Sequence, residues 1–289
     1  MTAAETHARP VTAPTKAPDA TDVREARRRR AERALRVALP LVVVALGLLA
    51  WDRVVAWNAI PPYILPGPRL VLATLVADWA ILSEALGVTM RIALGALAAA
   101  ALGGVALAIL FAQSRWAEWC FYPFAVILQV TPVIAIAPLI FIYVESRLAG
   151  LLLCAWIVAF FPVLSNTTLG LRSTDPNLDD VFAVHGATRW QRLRLLQLPT
   201  ALPYFLGGLR IAGGLALIGA VVAEYVAGTA GIGSGLAFRI LEAGYRLNVA
   251  RMFAALLLIA LAGVAIFLAL SALSHLLLRR WHESAVRRE

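Results

Sequence analysis

Asp175-Pro176-Asn177-Leu178-Asp179-Asp180-Val181-Phe182-Ala183-Val184-His185-Gly186-Ala187-Thr188-Arg189-Trp190-Gln191-Arg192-Leu193-Arg194-Leu195-Leu196-Gln197-Leu198-Pro199 is a polar connection set between two long apolar runs. It reads as two short helices. Asp175 can cap the first, with Pro176 at the first helical position, where proline's missing N–H is not needed. Gly186 supplies the turn that ends it. Thr188 with Gln191 three residues later has the spacing of a capping box and starts the second helix, which is expected to stop before Pro199. Two capped helices in a connection make a rigid element able to receive a push from a partner.

The rest of the chain explains where that element stands. Of 289 residues, 61% are hydrophobic and 15% charged, with mean hydropathy +0.80. A soluble domain carries roughly 45–50% apolar and about 25% charged residues, so much of this surface must face lipid. A helix needs about 20 apolar residues to cross the hydrocarbon core. Six runs qualify: Leu35–Val55, Ala85–Ala112, Phe121–Val144, Leu148–Gly170, Leu202–Val226 and Met252–Leu278. Only Glu145-Ser146-Arg147 separates the third from the fourth. The expected fold is all-α and polytopic: a basic disordered tail at 1–33, a membrane domain at 34–282 holding the polar connection 171–199, and a short tail at 283–289. With six crossings both termini share a side. Placing the N-terminus inside puts eighteen Lys/Arg on the inner side and seven on the outer, the sign expected of the positive-inside rule. Both termini and the 171–199 connection are then cytoplasmic.

Composition also excludes functions. Lys16 is the only lysine among 26 basic residues and lies in the tail, so the chain lacks the lysine a P-loop needs to reach phosphates. ATP and its magnesium would have to be bound by a partner. The arginines flank apolar runs instead of alternating with aromatics, which speaks against nucleic acid. Cys120 and Cys154 sit in or beside apolar runs, and His275 and His282 have no partners at metal-ligand spacing, so neither a metal nor a catalytic site is assigned. Gly231-Ile232-Gly233-Ser234-Gly235 follows a span and opens no strand–helix unit, which makes it a turn and not a nucleotide loop. After the first span, Ile60-Pro61-Pro62-Tyr63-Ile64-Leu65-Pro66-Gly67-Pro68 is too proline-rich for a helix, and Arg69–Trp79 has the spacing of a short interfacial one. In the second span small residues recur every fourth position, as Gly95/Ala99/Gly103 and Ala96/Ala100/Gly104/Ala108, a pattern that lets helices approach closely in lipid.

Gly186, nine residues, Leu196, one residue, then Leu198-Pro199 resembles the Gly-x9-Ile-x-Leu-Pro signature of binding-protein-dependent ABC importer permeases of the type I fold, the EAA loop. The family's Glu-Ala-Ala falls on Asp180-Val181-Phe182, which keeps only the acid. The flanking Ala183–Trp190 and Leu198–Pro203, the stretch Ile60–Pro66 and the span Gly214–Glu224 look like the nitrate/sulfonate/taurine and thiamine-precursor branch. One departure is the turn Glu145-Ser146-Arg147, where that branch has a Gly-rich turn ending in Ser-Lys. The resemblance implies a permease in the bacterial inner membrane, paired with a second permease copy, gripped by two ATP-binding subunits and supplied by an extracytoplasmic solute-binding protein. It implies ATPase coupling through Asp180, Ala183, His185, Gly186, Arg189, Leu196 and Pro199.

Four polar residues inside spans are candidates for the substrate pathway. Gln129, Thr131 and Asn166 are poor residues to turn toward lipid, so they face either a pore or another helix. Glu224 is an acid inside the fifth span, read either as part of the pathway or as a structural partner of an outer arginine. An ion-coupled carrier would lack an explanation for the EAA-like loop, and a membrane enzyme would need clustered acids or histidines that the chain does not offer.

Overall fold

The computed structural model describes residues 20–228 and 233–279. Within them the elements are helices α1 (Ala20–Trp57), α2 (Pro68–Ala77), α3 (Trp79–Gln113), α4 (Arg115–Val130), α5 (Val133–Tyr143), α6 (Arg147–Arg172), α7 (Pro176–Val184) and α8 (Arg189–Arg192), a π-helical segment (Leu193–Gln197), and α9 (Leu198–Ala227), α10 (Leu236–Tyr245) and α11 (Val249–Leu278). Five helices are long and apolar enough to span a bilayer, or six if α4 and α5 count as one broken span.

Two compact units are present, Met1–Ala59 and Ile60–Glu289. The first contains α1, whose run from Leu39 to Leu49 is hydrophobic on every side, the pattern of a helix bathed in lipid. Helix α1 begins at Ala20, within the stretch 1–33 expected as a tail. That stretch has no apolar period, but its Ala, Arg and Glu residues are strong helix formers. Residues 1–19 and the C-terminal tail 283–289 lie outside the described residues.

The second unit is built on α3, α6 and α9. These three pack against one another through small residues: Ala96, Ala100, Gly104 and Ala108 of α3 are all buried, whereas Ala99 is exposed and Gly95 and Gly103 are only half-buried. Of the two small-residue registers in that span, the second is the packing one. The α6–α9 contact is closest at Gly208, where a β-carbon would stand 2.6 Å from the Pro162 carbonyl oxygen. Without a hydrophobic drive between helices in lipid, such close backbone approach supplies the van der Waals attraction that holds them. Helix α2 is capped by Gly67, with Pro68 in its first turn, and Asp78 at its end accepts from Arg251 of α11 at 2.6 Å.

Two features depart from expectation. The run 121–144 is broken at Thr131-Pro132, and its halves α4 and α5 meet at a bend of 105°. Pro132 disfavours helical backbone at the residue before it, and Thr131 is accordingly extended (φ −74°, ψ 122°). The Ile127 carbonyl at the broken end accepts from both the Thr131 N–H at 3.1 Å and the Thr131 hydroxyl at 2.7 Å. The second loop helix does not stop before Pro199. It runs through the π-helical turn straight into α9, and the wider turn, in which the Leu198 N–H donates to the Leu193 carbonyl, relieves the clash a proline ring makes with the preceding turn.

Candidate coupling loop and translocation cavity

The sequence-predicted loop has the expected local chemistry. The Asp175 carboxylate accepts from the Asn177 N–H at 2.9 Å and caps α7. At the other end the Gly186 N–H donates to Ala183 and the Ala187 N–H to Phe182, both at 3.0 Å, which is a complete Schellman stop with Gly186 at φ +68°. The capping box is also complete. The Gln191 N–H donates to the Thr188 hydroxyl at 3.3 Å, and the Thr188 N–H donates to the Gln191 side chain at 2.8 Å. An ion pair between Arg192 and Asp179 ties the two helices together, with the Arg192 Nε–H 2.8 Å from the Asp179 carboxylate. The His185 ring Nδ1–H donates to the Val181 carbonyl at 2.8 Å, so this side chain is spent on its own helix end.

The structure divides the seven loop candidates into two groups. Asp180, Ala183, His185, Gly186 and Arg189 are exposed together on the projecting part. Leu196 is buried in the π-helical turn and Pro199 is half-buried at the start of α9, so these two anchor the loop instead of presenting it. Helix α7 buries no residue of its own, and Leu178 (51%), Val181 (51%) and Val184 (85%) leave much of their surface open. A nine-residue helix cannot support itself in water, so one with an open apolar face is built to be covered.

The pathway candidates do not converge. Gln129 and Thr131 line a cavity of about 470 Å³ beside the α4–α5 break, walled by Val133, Ile157, Leu215 and Gly219 among others. No lining side chain is charged. Asn166 is absent from that wall. Its side-chain N–H donates to the Pro162 carbonyl at 2.8 Å, and its β-carbon faces Gly208 across the α6–α9 contact.

Glu224 stands elsewhere again, at 1% exposure under the start of α10. Its carboxylate accepts from the Ala237 N–H at 3.1 Å, and the Thr89 hydroxyl of α3 accepts from the Leu236 N–H at 2.9 Å. The first two free donors of α10 are thus met by side chains from two other helices, with the acid at the positive end of the helix dipole. Gly235 lies directly on this carboxylate, which occupies the place where a β-carbon would be. Sequence reading singled out Glu224 but missed Thr89 and Gly235, because no local pattern joins residues so far apart. Of the Gly231–Gly235 motif, residues 233–235 form a turn leading into α10, while 231 and 232 lie outside the described residues.

A bundle of apolar spans, a projecting two-helix loop continuous with one of them, and an uncharged cavity at a broken span define a multi-pass membrane permease. The chain belongs to the family described as binding-protein-dependent transport system inner membrane component, whose sequence profile matches residues 100–283. It is 34% identical over 260 residues to the riboflavin transport system permease protein RibX of Chloroflexus aurantiacus, covering 86% of this chain and 91% of that one. It is 35% identical over 173 residues to the formylaminopyrimidine transport permease protein ThiX of Halalkalibacterium halodurans, covering 60% and 69%. Among solved structures, an amino acid ABC transporter with histidines superposes at a TM-score of 0.58 and 18% identity, covering 72% of this chain and 97% of that one, and so shares the type I fold.

Proposed function

We propose that this chain is the membrane half of an ATP-driven importer in the bacterial inner membrane, with both termini cytoplasmic. A second copy completes the pore, two ATP-binding subunits grip the loops, and an extracytoplasmic solute-binding protein delivers the cargo. The observation that carries this reading is α7, which projects with its apolar face uncovered while α8 continues unbroken into a spanning helix. Covered by an ATP-binding subunit, that face would move with the subunit, and α9 would move with it, a rigid-body switch between two pore states. Hydrolysis belongs to the partner, which binds ATP and magnesium, and this chain makes no covalent change. The second copy has a face to occupy, since Phe124, Ile127, Val130 and Ile134 are exposed around the break.

The cargo is a small polar or anionic solute of the nitrate, sulfonate, taurine or pyrimidine-precursor kind. The uncharged wall with Gln129 and Thr131 favours the pyrimidine end of that class, because an anion crossing it would meet no compensating side chain. The riboflavin and formylaminopyrimidine relatives point the same way.

The test is co-expression of the chain with its ATP-binding and solute-binding subunits in vesicles. Uptake should require ATP and both partners, and transport driven by an ion gradient without them would favour a secondary carrier. Orientation is read by thiol labelling after replacement of Cys120 and Cys154. An impermeant reagent on intact cells should reach Tyr245→Cys and not Val184→Cys.

A further inference from the structure

At the loop end of the bundle, a cavity of about 480 Å³ opens between the α3–α4 junction and α8. Arg115, Arg189, Arg192, Gln113 and Gln197 line it, with Ala112 the only apolar contributor and no acid in the wall. Two acids close by are engaged, Asp179 with Arg192 and Glu118 with Arg172, and Asp180 adds its charge near Arg192, which leaves Arg115 and Arg189. Arg115 and Arg189 make no ion pair among the described residues. Both also sit at the first position of their helices, where the dipole disfavours a cation. Three guanidinium groups in one wall, two of them without an ion pair, and adequate volume describe a site suited to an anion with several acceptor oxygens.

We infer that this cavity binds a phosphate group, one whose oxygens bridge Arg115 on the membrane side and Arg189 on the loop. Trp116 and Trp119 stand beside Arg115, edge to face with ring centroids 5.4 Å apart and with 74% and 63% of their surfaces exposed. Paired open tryptophans are the mark of the headgroup layer, and basic pockets between spans at that level take up anionic headgroups. The phosphate can come from an anionic lipid or from solution, and either source would link the membrane-embedded α4 to the loop helix α8. The inference stands on this end of the molecule, whichever solute the chain carries.

The experiment uses the full chain in nanodiscs. In phosphatidylcholine discs doped with phosphatidylglycerol, native mass spectrometry should find phosphatidylglycerol retained on the wild-type chain. Arg115→Gln should cut that preference about fivefold, the effect of about one basic residue at a membrane surface. Arg115 is exposed, so the change does not threaten folding, and Arg115→Lys should keep most of the preference. Arg246→Gln, at the far end beside α10, should change nothing. In undoped discs, inorganic phosphate should raise the melting temperature over an equal chloride concentration only if free phosphate is the source, and Arg115→Gln should abolish that rise. Equal retention of both lipids with no phosphate effect overturns the site. So does a loss at Arg246→Gln as large as at Arg115→Gln. If lipid and phosphate have no effect while Arg115→Gln weakens ATP-binding-subunit association, the cavity holds a protein carboxylate and the inference is wrong.

Discussion

Glu224 and Gly235 are predicted to be energetically one site, and a double-mutant cycle measures it. Glu224→Ala removes a charge-assisted bond to the Ala237 N–H, about 1.5–3 kcal/mol, and the carboxylate's interaction with the start of α10, about 0.3–1 kcal/mol. The expected loss is therefore about 2–4 kcal/mol. Gly235 has an ordinary φ of −86°, so the backbone accepts alanine there. What forbids it is the carboxylate already in that space. Gly235→Ala should expel the carboxylate and so lose the same bond, again about 2–4 kcal/mol. Once Glu224 is alanine the space is empty, and adding Gly235→Ala should cost little more. Additivity would predict a sum near twice the single effect, so the coupling is at least about 2 kcal/mol. Hydrogen exchange of the α10 amides reads the local opening directly. Each single variant should exchange roughly thirty- to several-hundred-fold faster, and the double variant should match Glu224→Ala. Additive acceleration in the double variant would show that the two residues do not share a site.

Gly186 stands at φ +68° with no atom within 4 Å of where a β-carbon would lie, so Gly186→Ala should act through the backbone alone at about 1–2 kcal/mol, and Gly186→Asn should be milder. Pull-down of the ATP-binding subunit should weaken about five- to thirtyfold for alanine; equal loss for alanine and asparagine would refute the strain argument. Gly186→Val should leave membrane levels normal and abolish uptake. Gln129→Leu should lower uptake at unchanged membrane level, whereas Asn166→Leu should lower the level itself, and immunoblotting beside initial-rate uptake separates them. Asp179→Arg should weaken ATP-binding-subunit association, and adding Arg192→Asp should restore part of it, by about 0.2–1 kcal/mol for so exposed a pair; no recovery would mean that the pair does not set the angle between α7 and α8.

What the sequence disclosed and what it withheld follow from the range of the interactions involved. Five of the six spans, the Asp175 cap, the Gly186 stop and the Thr188 box are set by residues within a few positions of one another, and each is found where its pattern lies. The break at Thr131-Pro132 was not distinguishable in kind from Pro123, Pro138, Pro162 and Pro203, which all sit inside helices. Pro162 shows why the distinction is tertiary. Its helix is packed on two sides, against α3 and α9, and Asn166 bonds the Pro162 carbonyl, so the surroundings hold the axis. Helix α4 buries only Ala125 and has no such support, and the chain bends. Gln129, Thr131, Asn166 and Glu224 shared one sequence signal, polarity within a span, but that signal names a need for partners without saying which. Packing assigned a cavity to the first two, a helix contact to Asn166 and a helix end to Glu224.

The two ends of α9 bear on how such a chain can transmit force. At one end the π-helical turn joins α8 to α9 without a loop, and Leu193 and Leu196 bury that turn in the bundle. A displacement of α8 therefore cannot be absorbed by a slack connection and must reach α9. At the other end Glu224 fixes α9 to the start of α10, and Thr89 fixes the same start to α3. Helix α9 is thus held at its far end and would be driven at its near end by a partner that moves α8, while Leu215, Gly219 and Val222, which line the cavity, lie between. Movement of a lever held in this way is largest toward the driven end and falls toward the pin. The cavity lies closer to the pin, so rocking α9 would change its opening by tilt and leave the α3–α10 contact in place. On the proposed mechanism, the buried acid would give the moving helix a fixed point.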